Sequence, residues 1–171
     1  MLLKLLRFAA AFVASMMLWW YATPSYNAFL SAAAEPLVRI DSRLRTADLT
    51  PVGRNVVVTG LPTARIPADQ LTYNVVLFAS LFATIPGLFR KRALKMLLIC
   101  IAILVVTHIV ALAVSIESTC ATQLADWSES RYPDAEQDFW TAAEYVYRLA
   151  GMFGISFALW WVSVEKLKIE N

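Results

Sequence analysis

Four apolar stretches divide the chain, and its charged residues fall mostly between them. Residues 3–22, 71–89, 95–116 and 142–164 each come close to the roughly 20 apolar residues that a helix needs to cross a hydrocarbon layer about 30 Å thick. The two middle stretches are joined by residues 90–94, which open with Arg90, Lys91 and Arg92 and are followed by Lys95. So short a link makes the pair a helical hairpin with a basic turn. The pattern predicts a single all-α membrane domain over residues 1–171, with four transmembrane helices.

The ends of the stretches carry the expected markers. Lys4 and Arg7 open the first, and Trp19, Trp20 and Tyr21 close it as an interfacial aromatic belt. Pro24 should stop that helix. A cleaved signal peptide is the rival reading, with Ala32, Ala33 and Ala34 as its cleavage site. Cleavage there would leave a long aromatic-rich segment after the apolar core, which favours an uncleaved signal anchor. Pro86 and Gly87 fall in the last turn of the second stretch, and Trp160 and Trp161 near the end of the fourth.

Charge sets the orientation. With the hairpin turn inside, the inner pieces hold Lys4, Arg7, Arg90, Lys91, Arg92, Lys95, Lys166 and Lys168 against Glu165 and Glu170, a net +6. The outer pieces hold seven arginines against eleven acids, a net −4, and the two together give the +2 of the whole chain. Short basic pieces on one side follow the positive-inside rule, so both termini are expected inside and both long loops outside. The basic residues lie at membrane edges rather than in a stripe with interleaved aromatics, so nucleic acid is not an expected partner. The lipid bilayer is. A 59% hydrophobic, 16% charged composition with mean hydropathy +0.58 agrees, since soluble domains average about 25% charged.

The outer loops, residues 23–70 and 117–141, are too small to hold an enzyme domain with its own core. In the first, Tyr26–Ala34 reads as a short interfacial helix ended by Pro36. Val38, Ile40, Leu44 and the run Val56-Val57-Val58 are strand-like around a turn at Thr50-Pro51-Val52-Gly53. They predict a β-hairpin over about residues 38–60, with Val56 and Val58 as candidate interaction residues on a strand edge open to a partner. The second loop reads as acidic and solvated, with Trp127 and Tyr132 as anchors and Asp134 as an N-cap.

Candidate chemistry is sparse. His108 is the one ionisable group deep inside a span, and such groups are proton relays, ligand sites or hydrogen-bonded cross-links. Thr84 or Ser80 would be its bonding partner, and His108, Thr107 and Thr84 form a candidate intramembrane polar site. A Cys120–His108 dyad fails on distance, because twelve residues of helix separate them by about 18 Å. Cys100 and Cys120 are further apart still and cannot form a disulfide. Asp126, Glu129, Asp134, Glu136 and Asp138 lack the order of a calcium loop and read as a solvated face. Glu144 and Arg148, four apart, should pair. Ala150, Gly154 and Ala158 put a small-residue face on the last helix, a surface for close helix packing. No catalytic residue, metal site or cofactor motif emerges.

Several short motifs taken in order resemble one family. They are Trp19-Trp20-Tyr21-Ala22-Thr23-Pro24, a strand-forming outer segment, and Leu71-Thr72-Tyr73-Asn74 leading to Ala83-Thr84-Ile85-Pro86 before an arginine-rich turn. The last is Tyr145-Val146-Tyr147-Arg148-Leu149-Ala150-Gly151, followed by Leu159-Trp160-Trp161. The chain in this respect resembles the exosortase H-associated membrane proteins, a bacterial inner-membrane family encoded beside a membrane-embedded sorting transpeptidase. The resemblance implies a multi-pass protein of the bacterial inner membrane with a periplasmic first loop. It also implies a non-catalytic accessory or scaffold subunit, with an exosortase as its membrane-protein partner. The alternative from the residues is a small transporter or channel subunit with a path near His108.

Overall fold

The computed structural model describes residues 2–169. Glu170, counted above with the inner pieces, lies outside them. Among the described residues, three helical runs are long and apolar enough to cross a membrane: α1 (Leu2–Val38), α4 (Lys91–Thr122) and the run from Asp134 to Leu167. That run consists of α6 (Asp134–Val146), a π-helical turn (Tyr147–Gly151) and the start of α7 (Met152–Ile169). The remaining elements are a 3-10 turn (Ser42–Leu44), strands β1 (Asp48–Val52), β2 (Asn55–Thr59) and β3 (Ala64–Ile66), and helices α2 (Ala68–Thr72), α3 (Asn74–Phe82) and α5 (Asp126–Glu129).

α1 does not stop at Pro24. Its 37 residues extend about 55 Å, well beyond one hydrocarbon thickness. Thr23, Asn27, Leu30, Ser31, Ala34 and Val38 form one buried stripe at helical spacing. Packing along that stripe holds the helix through the proline, and the Thr23 hydroxyl adds a bond to the Trp19 carbonyl. The expected interfacial helix at Tyr26–Ala34 is therefore part of the C-terminal half of α1, and the helix runs two residues past Pro36.

The predicted hairpin is a three-stranded antiparallel meander, in the order β1-β2-β3. Val38 ends α1 and Leu44 sits in the 3-10 turn, so the first strand begins only at Asp48. Gly53 and Arg54 make a two-residue turn, since Val52 pairs with Asn55. The run Val56-Val57-Val58 is the central strand, paired on both sides. Val56 and Val58 are 0% exposed and face the core, so they offer no edge to a partner. Pro51 lies on edge strand β1, where its missing N–H costs no ladder bond. The outer side of β1 is itself engaged, with Leu49 N donating to Glu35 Oε2 and Arg39 Nε to the Ala47 carbonyl just before the strand.

The expected single helix over residues 71–89 is broken. α2 has 5 residues and α3 has 9, and neither is long enough to cross. α3 ends at Phe82 because the Pro86 ring cannot sit over the Phe82 carbonyl in a continuing helix. The chain goes on in tight turns, with Thr84 N bonded to the Leu81 carbonyl and Ile85 N to that of Phe82. Residues 117–141 are mostly helix rather than loop. α4 continues to Thr122, with Glu117 to Ala121 buried, and α6 begins at Asp134. Asp134 does not cap: the N-cap is Pro133, without a side-chain bond.

Two apolar clusters divide the molecule. One joins Leu30, Ala34 and Val38 of α1, the inner face of the sheet, and Leu112, Ile116 and Cys120 of α4 into a compact cap. The other packs Phe78, Phe82 and Ile85 against Cys100 and Leu104 of α4 and Ile155 and Leu159 of α7. Lys4, Pro86, Trp160 and Glu165 line a common cleft, so the start of α1, the turns after α3 and the end of α7 share the end opposite the sheet.

Two turn glycines separate conformational strain from collision. Gly53 has φ +61° with open space where a Cβ would stand, whereas at Gly60, φ +80°, a Cβ would strike the Thr46 carbonyl oxygen. Gly53→Ala should cost about 1 kcal/mol for the left-handed backbone alone. Gly60→Ala should cost at least about 2 kcal/mol. Thermal unfolding of the purified chain in detergent should rank the midpoints wild type, Gly53→Ala, Gly60→Ala; the reverse order of the two variants would contradict this packing.

Candidate functional site

One fully buried polar side chain is bound on both sides. His108 comes from α4, is 0% exposed, and lies between α1 and α3. The Tyr26 hydroxyl is 2.7 Å from its Nδ1, and Asn74 Oδ1 is 2.6 Å from its Nε2. Asn74 Oδ1 only accepts, so Nε2 carries the proton and Tyr26 donates to Nδ1. The Tyr26 ring stands perpendicular to the imidazole and edge-on to Trp19. From α7, Ser156 donates to the Asn74 carbonyl at 3.1 Å. Four helical elements thus meet at one small polar node. Ser80 and Thr84 take no part. Ser80 donates to the Val76 carbonyl, Thr84 to that of Leu81, and Thr107 to that of Leu104. The expected cluster of His108, Thr107 and Thr84 is not brought together.

A second polar line continues toward the end that carries the sheet. Glu144 Oε1 accepts from Ser115 Oγ at 2.8 Å and from Arg148 Nε at 2.8 Å, which realises the expected Glu144–Arg148 pair. Tyr147, turned by the π-helical step, donates to the Leu71 carbonyl at 2.8 Å. In the cap, buried Glu117 accepts from the Tyr132 hydroxyl at 3.0 Å. Arg43 stacks over the Tyr132 ring at 3.9 Å and forks onto Asp41 (2.7 Å) and Glu136 (2.7 Å). Burial alone would raise the Asp41 carboxyl, but the hydrogen bonds from Arg43 outweigh it and hold the group below its ordinary value. Burial, reinforced by Glu117, pushes the Tyr132 phenol well up.

Glu117, Ser118, Thr119, Ser128 and Tyr132 thus build the inside of the cap, whereas Asp126, Glu129, Asp134 and Asp138 are exposed. Sequence reasoning missed this because Glu117, Ser118 and Thr119 read as the start of a solvated loop. Their helical spacing onward from Ser115 was the available signal. Cys120 is a buried free thiol on the same unbroken α4 as His108, and Cys100 bonds to Ser163 Oγ at 3.4 Å. Ala150, Gly154 and Ala158 face outward, away from the bundle. Trp20 lies under the Arg54 guanidinium at 3.1 Å, and Asn27 Nδ2 donates to the Gly53 carbonyl, which ties the hairpin turn to α1. Among the described residues, no group of three or more His, Cys, Asp or Glu is placed to hold a metal ion. No protein-family model, curated protein or solved structure matches the chain.

His108→Leu leaves the Tyr26 hydroxyl and Asn74 Oδ1 without partners and should destabilise by about 1–3 kcal/mol. Adding Tyr26→Phe should cost less in that background than alone, a coupling of about 0.5 kcal/mol or more. Denaturant titration of the four-member cycle reads this directly, and strict additivity would refute the Tyr26–His108 bond. In the cap, the unfolded chain binds more protons at Asp41 than the folded one does. Its contribution is therefore complete above its ordinary value of 3.8 and lost as pH falls through the lowered folded value. Asp41→Asn should flatten the acid limb of the unfolding midpoint plotted against pH.

Proposed function

We propose that this chain is a non-catalytic accessory or scaffold subunit of the bacterial inner membrane, with four crossings and both termini inside. The broken α2–α3 segment and the turns that follow it, enclosed by α1, α4 and α7, serve as the second crossing. They carry the chain from the sheet to the basic end, and α4 brings it back. Clustering of Lys4, the α4 start and Lys166 at one end supports placing that end inside.

One observation carries the accessory reading. His108 is fully enclosed, and both its nitrogens are committed to Tyr26 and Asn74. It cross-links helices. The alternative, a small transporter or channel subunit, needs polar groups along an open cavity. Thr107 and Thr84 instead spend their hydroxyls on their own helix backbone. The partner-facing surface in this reading is the outward side of the last helix, where Ala150, Gly154 and Ala158 permit close approach. The resemblance to the exosortase H-associated proteins makes an exosortase-type sorting transpeptidase the first partner to test.

The test is a mild-detergent pull-down of the tagged chain from its native membrane, with mass spectrometry of the companions. A stoichiometric membrane transpeptidase is expected. It should be lost with Gly154→Leu/Ala158→Leu at an unchanged unfolding midpoint, since no neighbouring atom lies within 4 Å of a Cβ at Gly154. A chain that purifies alone as a homo-oligomer would overturn the reading and return transport near His108 to the front.

A further inference from the structure

Six cations crowd the end opposite the sheet. Lys4 comes from α1, Arg90, Lys91, Arg92 and Lys95 from the start of α4, and Lys166 from the end of α7. Among the described residues, Glu165 is the acid that accompanies them, and residues 71–116 contain no Asp or Glu at all. Four of the cations fall within residues 90–95, so each raises the cost of its neighbours' charge.

Three adjoining clefts open among them. One of about 330 Å³ lies between α4 and α7, lined by Arg92, Lys95 and Lys166 together with the apolar Met96, Ile99 and Leu167. A second, about 150 Å³, follows the start of α4 along Arg90, Lys91 and Arg92 beside Pro86 and Gly87. A third, about 340 Å³, lies between α1 and α7 and is lined mainly by apolar groups, among them Ile85, Trp160, Val164 and Leu167, with Lys4. Leu167 lines all three, so the cationic and the apolar clefts adjoin one another.

We propose that this end is a binding site for an anionic glycerophospholipid. Arg92, Lys95 and Lys166 receive the phosphodiester, and an acyl chain lies in the apolar cleft beside Trp160. Cations alone would accept any anion, and an apolar cleft alone any chain. Side by side at the end of a membrane bundle, they fit a molecule that carries both. Lysine and arginine stems add apolar contact along the chain while their heads reach the phosphate. The site rests on the chain's being embedded in a bilayer and does not depend on any protein partner.

The experiment uses the purified full chain in a zwitterionic detergent. Phosphatidylglycerol, phosphatidylcholine and inorganic phosphate are the probes, and native mass spectrometry with thermal shift is the readout. Phosphatidylglycerol should be retained at least tenfold better than phosphatidylcholine, and inorganic phosphate at equal concentration should not displace it. Lys95→Gln/Lys166→Gln should bring phosphatidylglycerol down to the phosphatidylcholine level, whereas Lys95→Arg/Lys166→Arg should retain it. Equal retention of the two lipids by the native chain would overturn the proposal. So would full retention by the glutamine variant, or displacement by inorganic phosphate, which would mark a simple anion site. If the glutamine variant fails to fold, the comparison of lipids on the native chain still decides.

Discussion

α4 is longer than the membrane is thick, and much of the architecture answers that fact. Its 32 residues extend about 48 Å against a hydrocarbon layer of about 30 Å. The excess cannot stand bare, because Leu112, Ile116 and Cys120 alternate with Ser115, Glu117 and Thr119 around the same surface. The chain surrounds it. The C-terminal half of α1 lies along one side, the sheet lays Val56, Val58 and Ile66 on another, and Tyr132 reaches in to Glu117. A small sheet of this kind is marginal in isolation. Here it is one wall of a core whose other walls are two helices anchored below.

Anchoring in turn depends on the node at His108. An unpaired donor or acceptor in a low-dielectric interior costs several kcal/mol, and this register of the helices is one in which both His108 nitrogens pair. Sliding α1 by one turn would remove Tyr26 from Nδ1, and moving α3 would remove Asn74 from Nε2. The net stabilisation from each bond is modest, because the separated helices would find other partners. The gain lies in discrimination between registers. That explains how α3, with only 9 residues, keeps a defined place: its first residue is bonded to α4 through its side chain and to α7 through its carbonyl.

The features legible in the sequence are those governed by length and sign. Three of the apolar stretches, the basic end, the Val56–Val58 strand and the Glu144–Arg148 pair follow from periodicity, charge asymmetry and helical spacing. The features that escaped are those in which packing overrides local preference. Pro24 breaks an isolated helix, but a stripe of Thr23, Asn27, Ser31 and Ala34 packed along one side outweighs it, and a mixed small and polar stripe carries little hydrophobic signal. Glu117 looked like the start of a loop because its partner, Tyr132, lies across a turn and is invisible to local pattern. The early end of α3 came from Pro86 acting one turn back on the Phe82 carbonyl. The third strand, Ala64–Ile66, is too short to show alternation at all.

The same bonds bear on what the molecule can do. A carrier must open to each side of the membrane in turn, with one group of helices rocking against another. Here that motion would part α1 from α4 and α3, and leave Tyr26, His108 and Asn74 unpaired together. It would also pull Asn27 from the Gly53 carbonyl and Trp20 from beneath Arg54, detaching the cap from the helix that supports it. The cost falls on both ends of the molecule at once. A subunit that only had to hold the cap and an outward helix face at a fixed relation would meet no such penalty. The node that makes rocking expensive is what keeps that relation fixed.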